Sequence, residues 1–303
     1  MNLRMAGCLV ALLIISTATP GADFRYIDHE PFTNHKYAGS AETLVLSGEI
    51  IPGDYDRLLN KILDDENRFM LQNTVILASN GGDVAEAIKI ARLLKAMYTE
   101  VQVGPLTGRC VSACFLIYAA ASERKTDDER LIGIHRPYVV DSQLSLLSPA
   151  DADNLENKVL KQARAYLQES NVPTYLIEEM FRRASNDVYW LSERDIENIG
   201  HRTPAFDQYL VAKCAWDDTI EREAYSGKRP FDDLKEMWTC RDQVARPAAH
   251  QAFFLAYKEL IERENRKVIE KLVKNSFICH TKGVVDPKTE ECPDFTPPTS
   301  GAK

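Results

Sequence analysis

The sequence predicts an α/β fold built on a largely parallel sheet, and three observations carry that prediction. The run Thr74–Ser79 is apolar without alternation, as in strands covered on both faces. Segments with helical spacing of apolar residues flank it, at 54–69 and 83–98. Turn glycines stand where the strand runs stop and helices begin, at Gly81, Gly82 and Gly108, which in open α/β sheets is where working groups gather.

Taken in order, Arg4, the apolar run Met5–Ile15 and the small residues through Ala22 form the pattern of a cleaved secretory signal, residues 1–22, with cleavage after Ala18 or Ala22. The run is shorter than the ~20 residues that span a bilayer. The expected product is exported, most naturally to a periplasm, with no stable membrane span after cleavage. Residues 23–41 read as a polar, extended lead-in, with His29 and His35 at the surface. Residues 42–50 start as an apolar strand and end in a Pro-Gly turn. Tyr55, Leu58, Leu59 and Ile62 mark the first helix, and Val84, Ala87, Ile88, Ala91 and Leu94 the second. Strands follow at 101–103 and 131–134, separated by a helix over 113–121 that is apolar all round and hence buried. Alternation of strand and helix implies parallel pairing with right-handed crossovers.

Beyond residue 140 the chain turns helical. Leu155, Val159, Leu160, Ala163 and Tyr166 form one stripe, Pro173 breaks it, a second helix covers 175–184, and 185–192 returns toward the sheet. Ser192 and Asp195 have the spacing of a capping box for a short helix ending at Gly200. Residues 23–204 thus read as one α/β domain. Residues 205–292 read as a helical, cysteine-bearing extension with a long amphipathic helix over 247–277, and the Pro- and Ser-rich tail 293–303 is expected to be disordered.

Composition narrows the function. A chain of 303 residues with 45% hydrophobic residues has enough apolar material for a core, and a formal charge of −8 gives no general attraction to nucleic acid. Loss of the signal removes Cys8 and leaves Cys110, Cys114, Cys214, Cys240, Cys279 and Cys292 as disulfide candidates, an even number in an exported chain. Cys110 and Cys114 bracket Ser112, as a local bridge or as two small buried thiols. Their spacing without a neighbouring histidine makes a poor zinc site, and neither metal nor organic cofactor is expected.

The chemistry centres on residues 104–115, a tight loop that delivers Ser112 to the start of the buried helix. Ser112 is a nucleophile or simply a helix cap. Gly81 and Gly82 are a turn whose amides point outward, or only a turn. His135 stands at the end of a strand at the same edge of the sheet, as a base or as a structural histidine. Asp187, beside Asn186, is the candidate acid or a solvated turn residue.

The ordered set Ser79-Asn-Gly-Gly-Asp83, Cys110-Val-Ser-Ala-Cys-Phe-Leu-Ile117, Gly133-Ile-His-Arg-Pro137 and Asn186-Asp-Val-Tyr-Trp-Leu-Ser192 resembles the Clp protease/crotonase superfamily, and within it the exported relatives of the proteolytic subunit of Clp protease. The resemblance covers residues 42–203 and implies a spiral of βαβ units. It implies Ser112 as nucleophile, His135 as base and Asp187 as acid, with an oxyanion hole from the amides of Gly81, Gly82 and Ala113. The excursion over 141–184 would correspond to the family's handle, which mediates stacking of rings, so a homo-oligomer is expected. The cysteine pair around the serine and the C-terminal extension depart from the family pattern. The implied activity is an exported serine peptidase acting on peptides or loose protein segments, with no ATPase partner where ATP is absent. The competing readings are a catalytically inactive binding or scaffold protein and an acyl-CoA enzyme.

Overall fold

A computed structural model describes residues 21–29, 41–65, 69, 73–104, 108–126 and 128–281, with the backbone alone at 28, 29, 41, 42, 141, 142, 225 and 272–281. The signal segment up to residue 20, His35, Cys292 and the tail lie outside the described residues.

Two sheets form. The larger has five strands in the order β1-β2-β3-β4-β6, where β1 is Asp23–His29, β2 Ala41–Ile50, β3 Thr74–Gly82, β4 Glu100–Val103 and β6 Glu123–Thr126. Strands β2, β3, β4 and β6 are parallel, and β1 adds antiparallel at the edge, Phe24 opposite Leu46. Of the residues read as an extended lead-in, Asp23–His29 form this strand. The smaller sheet has the order β5-β7-β8, from Cys110–Val111, Ile132–Ile134 and Tyr189–Trp190, with β5 and β7 parallel and β8 antiparallel. The serine and histidine segments thus share a second, short sheet and not the main one, because the two-residue β5 pairs with β7.

Helices α1 (Asp54–Asp64) and α2 (Val84–Ala96) bury the apolar faces read from the sequence, including Leu58, Leu59, Ile62, Ala87 and Leu94. Asp83 caps α2, its carboxylate accepting from the Glu86 amide at 2.7 Å. Every residue of α3 (Ala113–Ala120) is buried. It is the central rod of the core, and the position of its first turn is correspondingly fixed. The excursion comprises α4 (Asp141–Leu144), α5 (Pro149–Glu169) and α6 (Thr174–Arg182); α7 (Glu193–Ile199) follows β8.

Strand β6 was invisible to an apolar-run search because its sequence is Glu-Arg-Lys-Thr. Its charges are buried against specific partners. The Arg124 guanidinium donates to the carbonyls of Gly200 (2.6 Å), Ile199 (3.0 Å), Arg202 (3.1 Å) and Ala119, and loss of water pushes its pKa down to about 10. These bonds tie the end of α3 to the end of α7. Beside it, Glu123 and Glu100 face Arg241 at 3.0 and 3.9 Å. Burial raises the Glu123 pKa, helped by repulsion from Glu100, whereas at Glu100 the burial effect is outweighed by Lys125 and Arg241 and the pKa falls.

Arg241 belongs to α10 (Asp232–Thr281), which follows α8 (Pro204–Cys214) and α9 (Asp218–Tyr225). The helix starts well before Pro247 and runs through it, although proline removes a helical hydrogen bond. Leu234 and Met237 before the proline and Ala249 and Phe253 after it are all buried, and that packing holds the helix continuous. Ala249, Phe253 and Leu260 enter the same core as the sheets, while Phe206, Leu210, Trp216, Leu234 and Met237 form a second, smaller cluster. Among the described residues no helix is long and apolar enough to cross a membrane. Ala22 is buried and its amide donates to the Asp54 carboxylate at 3.1 Å.

Candidate active site

Ser112 sits where β5 ends and α3 begins. Its φ is 60° and its ψ −123°, a backbone conformation that costs an L-residue about 1–3 kcal/mol. An N-cap serine has an extended backbone and a hydroxyl bonded to the helix amides. Ser112 has neither, since its side chain makes no capping hydrogen bond. The cap reading therefore does not account for it. Its amide donates to the Gly133 carbonyl at 3.0 Å, which anchors the turn to β7. On either side the chain is cross-linked by the Cys110–Cys114 disulfide, with Cα atoms 5.3 Å apart and both residues buried. The buried helix leaves the turn little room to relax. The amide of Ala113 is one of the first-turn donors of α3 that no helical carbonyl can satisfy.

The Gly81-Gly82 turn at the end of β3 lies against this serine. A Cβ on Gly81, whose φ is 100°, would meet Ser112 Cβ at 2.7 Å and the Ala113 nitrogen at 2.9 Å. Only glycine permits the approach. The Gly81 amide donates to the hydroxyl of Ser79 at 3.0 Å. The Asp83 amide donates to the Ile50 carbonyl at 2.8 Å, toward β2. Successive amides of extended chain point opposite ways, so the Gly82 amide faces away from β2.

His135 follows β7 directly and is buried. Its Nδ1 is 3.0 Å from the carbonyl oxygen of Arg136. A carbonyl accepts only, so Nδ1 is the donor of this bond, which selects the tautomer with the lone pair on Nε2. The ring of Tyr138, half exposed, stands 6.0 Å away centre to centre.

Asp187 is placed differently. The β7–β8 ladder pairs Gly133 with Trp190 and Ile134 with Tyr189, and Asp187 stands two residues before β8 with its amide donating to the Ala184 carbonyl at 3.1 Å. The carboxylate, however, bonds Arg183 at 2.9 Å and is more than half exposed, while the Nδ1 of His135 is engaged by Arg136. Ser112 and His135 follow the neighbouring parallel strands β5 and β7, with Gly81 against Ser112, whereas the Asp187 carboxylate is held by Arg183 and makes no contact with His135.

Two groups take roles that their sequence context barely signals. Ser79 accepts from Gly81, and its only signal was its place two residues before the glycine. Asp195 was read as half of a capping box, which it is, accepting from the Ser192 amide at 2.9 Å. It also accepts from the hydroxyls of Tyr189 (3.0 Å) and Tyr175 (2.8 Å), and so anchors β8. Of the six disulfide candidates, Cys110–Cys114 and Cys214–Cys240 are bonded; the Cys279 side chain and Cys292 fall outside what is described. Among the described residues no group of three or more His, Cys, Asp or Glu is arranged to hold a metal ion.

Neither a protein-family model nor a curated protein matches the chain. Among solved structures it is similar to ClpP1 from Listeria monocytogenes. That alignment has a TM-score of 0.35 and 18% identity, and covers 52% of this chain and 86% of that one. A single-residue mutant of the same protein aligns over the same shares, with a TM-score of 0.35 and 19% identity.

Proposed function

We propose that the chain is an exported serine peptidase-like hydrolase in which Ser112 is the nucleophile and His135 the base. The observation that carries this reading is the Ser112 backbone, held at positive φ at the head of a buried helix with its hydroxyl uncommitted. Such conformations persist only where the surroundings enforce them, and they cluster at sites of chemistry.

In the proposed reaction Ser112 Oγ attacks a peptide carbonyl carbon and its proton passes to Nε2 of His135. The C–N bond then breaks and the same proton goes to the leaving amine. Water, deprotonated by His135, cleaves the acyl ester in the second half. The amides of Gly82 and Ala113 are the donors for the oxyanion, each worth roughly 3–4 kcal/mol in such a site. The Gly81 amide is committed to Ser79, so Gly81 serves by permitting close approach. The substrates of this reading are short peptides or loose protein segments, and the working form is a homo-oligomer, as the family resemblance implies.

The test is reaction of the oxidised protein, freed of its signal, with an alkyl fluorophosphonate. Ser112 Oγ would bond to phosphorus with loss of fluoride and a proton. Label that maps to Ser112 and disappears in both Ser112→Ala and His135→Ala supports the reading; a folded, oxidised protein that takes no label ends it.

A further inference from the structure

We infer that the main-chain carbonyl of Arg136, aimed by Pro137, is the group that orients His135, and that the Asp187 carboxylate takes no part in the reaction; this rests on the serine hydrolase reading. In a serine triad the acid has two jobs, to hold the imidazole in the tautomer that leaves Nε2 basic and to fix its rotation. Here the Nδ1–carbonyl bond of 3.0 Å does both. The ring is buried, so water competes poorly for that bond.

The sequence supplies the means of aiming the carbonyl. Arg136 precedes a proline, whose Cδ excludes the helical region for the residue before it and keeps that residue extended. Pro137 is itself buried. The dipeptide after His135 is therefore a rigid arm that turns an acceptor back onto the ring.

Asp187, for its part, is held elsewhere. Arg183 binds it at 2.9 Å and is itself fixed by Glu179 at 2.7 Å and by the face of the Tyr189 ring, 5.3 Å from its guanidinium carbon. A switch of Asp187 to His135 would break the Arg183 pair and the Arg136 bond to form one new contact.

The experiment measures the rate of labelling by an alkyl fluorophosphonate on the full oxidised chain, together with nitrogen NMR of the histidine rings. The proteins are the wild type, Ser112→Ala, Asp187→Asn and Pro137→Ala. Asp187→Asn is expected to label within about twofold of wild type, where loss of an orienting acid costs up to about 10⁴-fold. Pro137→Ala is expected to label at least about tenfold more slowly, with its His135 signal shifted away from the pure Nδ1–H tautomer seen in wild type and in Asp187→Asn. A fall of more than about tenfold in Asp187→Asn, or an Nδ1 of His135 that carries no proton in the wild type, overturns the inference and leaves the hydrolase reading standing. Wild-type protein that does not label, or labelling undiminished in Ser112→Ala, overturns the hydrolase reading itself.

Discussion

A Cβ on Gly81 would stand 2.7 Å from the Cβ of Ser112, so the glycine end of β3 and the turn before α3 touch backbone to side chain with no space between them. The two glycines of that strand end face different neighbours. Gly81→Ala pushes on Ser112 and the Ala113 amide and is expected to abolish fluorophosphonate labelling while the sheet survives. A Cβ on Gly82 would lie 2.1 Å from the Ile50 carbonyl, inside the β2–β3 ladder. Gly82→Ala is expected to cost about 3 kcal/mol or more of stability. Labelling and thermal melting measured side by side separate the two effects.

The two disulfides are expected to separate in the same way. Cys110–Cys114 closes a loop of sequence separation 4 and Cys214–Cys240 one of 26. Chain-entropy estimates give about 2 kcal/mol for the first and about 3.5 kcal/mol for the second. The Cys110–Cys114 bridge therefore contributes less stability than the other, yet only replacing both of its cysteines by serine loosens the turn that carries Ser112. Labelling falls in that double variant and is retained when Cys214 and Cys240 are replaced.

Arg241 is the electrostatic link between α10 and the main sheet. Arg241→Leu leaves Glu123 buried with the more distant Arg202, at 3.8 Å, in place of its 3.0 Å partner, so its charge is under-compensated, and a loss of about 3 kcal/mol is expected in urea unfolding. Adding Glu123→Gln to that variant removes the under-compensated charge and should restore part of the loss. A double variant less stable than the sum of the two singles contradicts this account of the contact.

Asp195 sets an acid limb of stability. Burial would raise its pKa, but the Ser192 amide and hydroxyl, with the two tyrosine hydroxyls, favour the carboxylate and hold it below the usual range. A depressed folded-state pKa means that the unfolded chain binds the proton more readily. The contribution is therefore full above the unfolded value near 4, and is lost as pH falls through the lower folded value. Unfolding free energy measured against pH should drop on that limb, and Asp195→Asn should flatten it while lowering stability at neutral pH by about 1–3 kcal/mol.

Much of the scaffold was legible because its causes are local. Thr74–Ser79 is apolar on both faces, α1 and α2 carry their stripes, and the residues at 113–120 have nothing polar to show to water, so periodicity alone assigns them. Ser112, the glycine turn and His135 were legible as a set for a related reason: each stands where a strand run ends, and ends of strands meet in space. Features that depend on partners distant in sequence were not legible. Glu123 and Arg124 form a buried strand only because Arg241 and the carbonyls of residues 199–202 are there to receive their charges. Pro247 is tolerated inside a helix only because apolar residues on both sides of it are buried. Asp187 stands two residues before β8, yet its carboxylate turns to Arg183. Hydrophobic period and glycine conformation act over a few residues, so the order of amino acids was enough to say which residues build the sheets and which turn presents the serine. The acceptor that faces His135 was chosen only on folding, because that choice depends on side-chain directions and charge pairs set by segments that meet once the chain is compact.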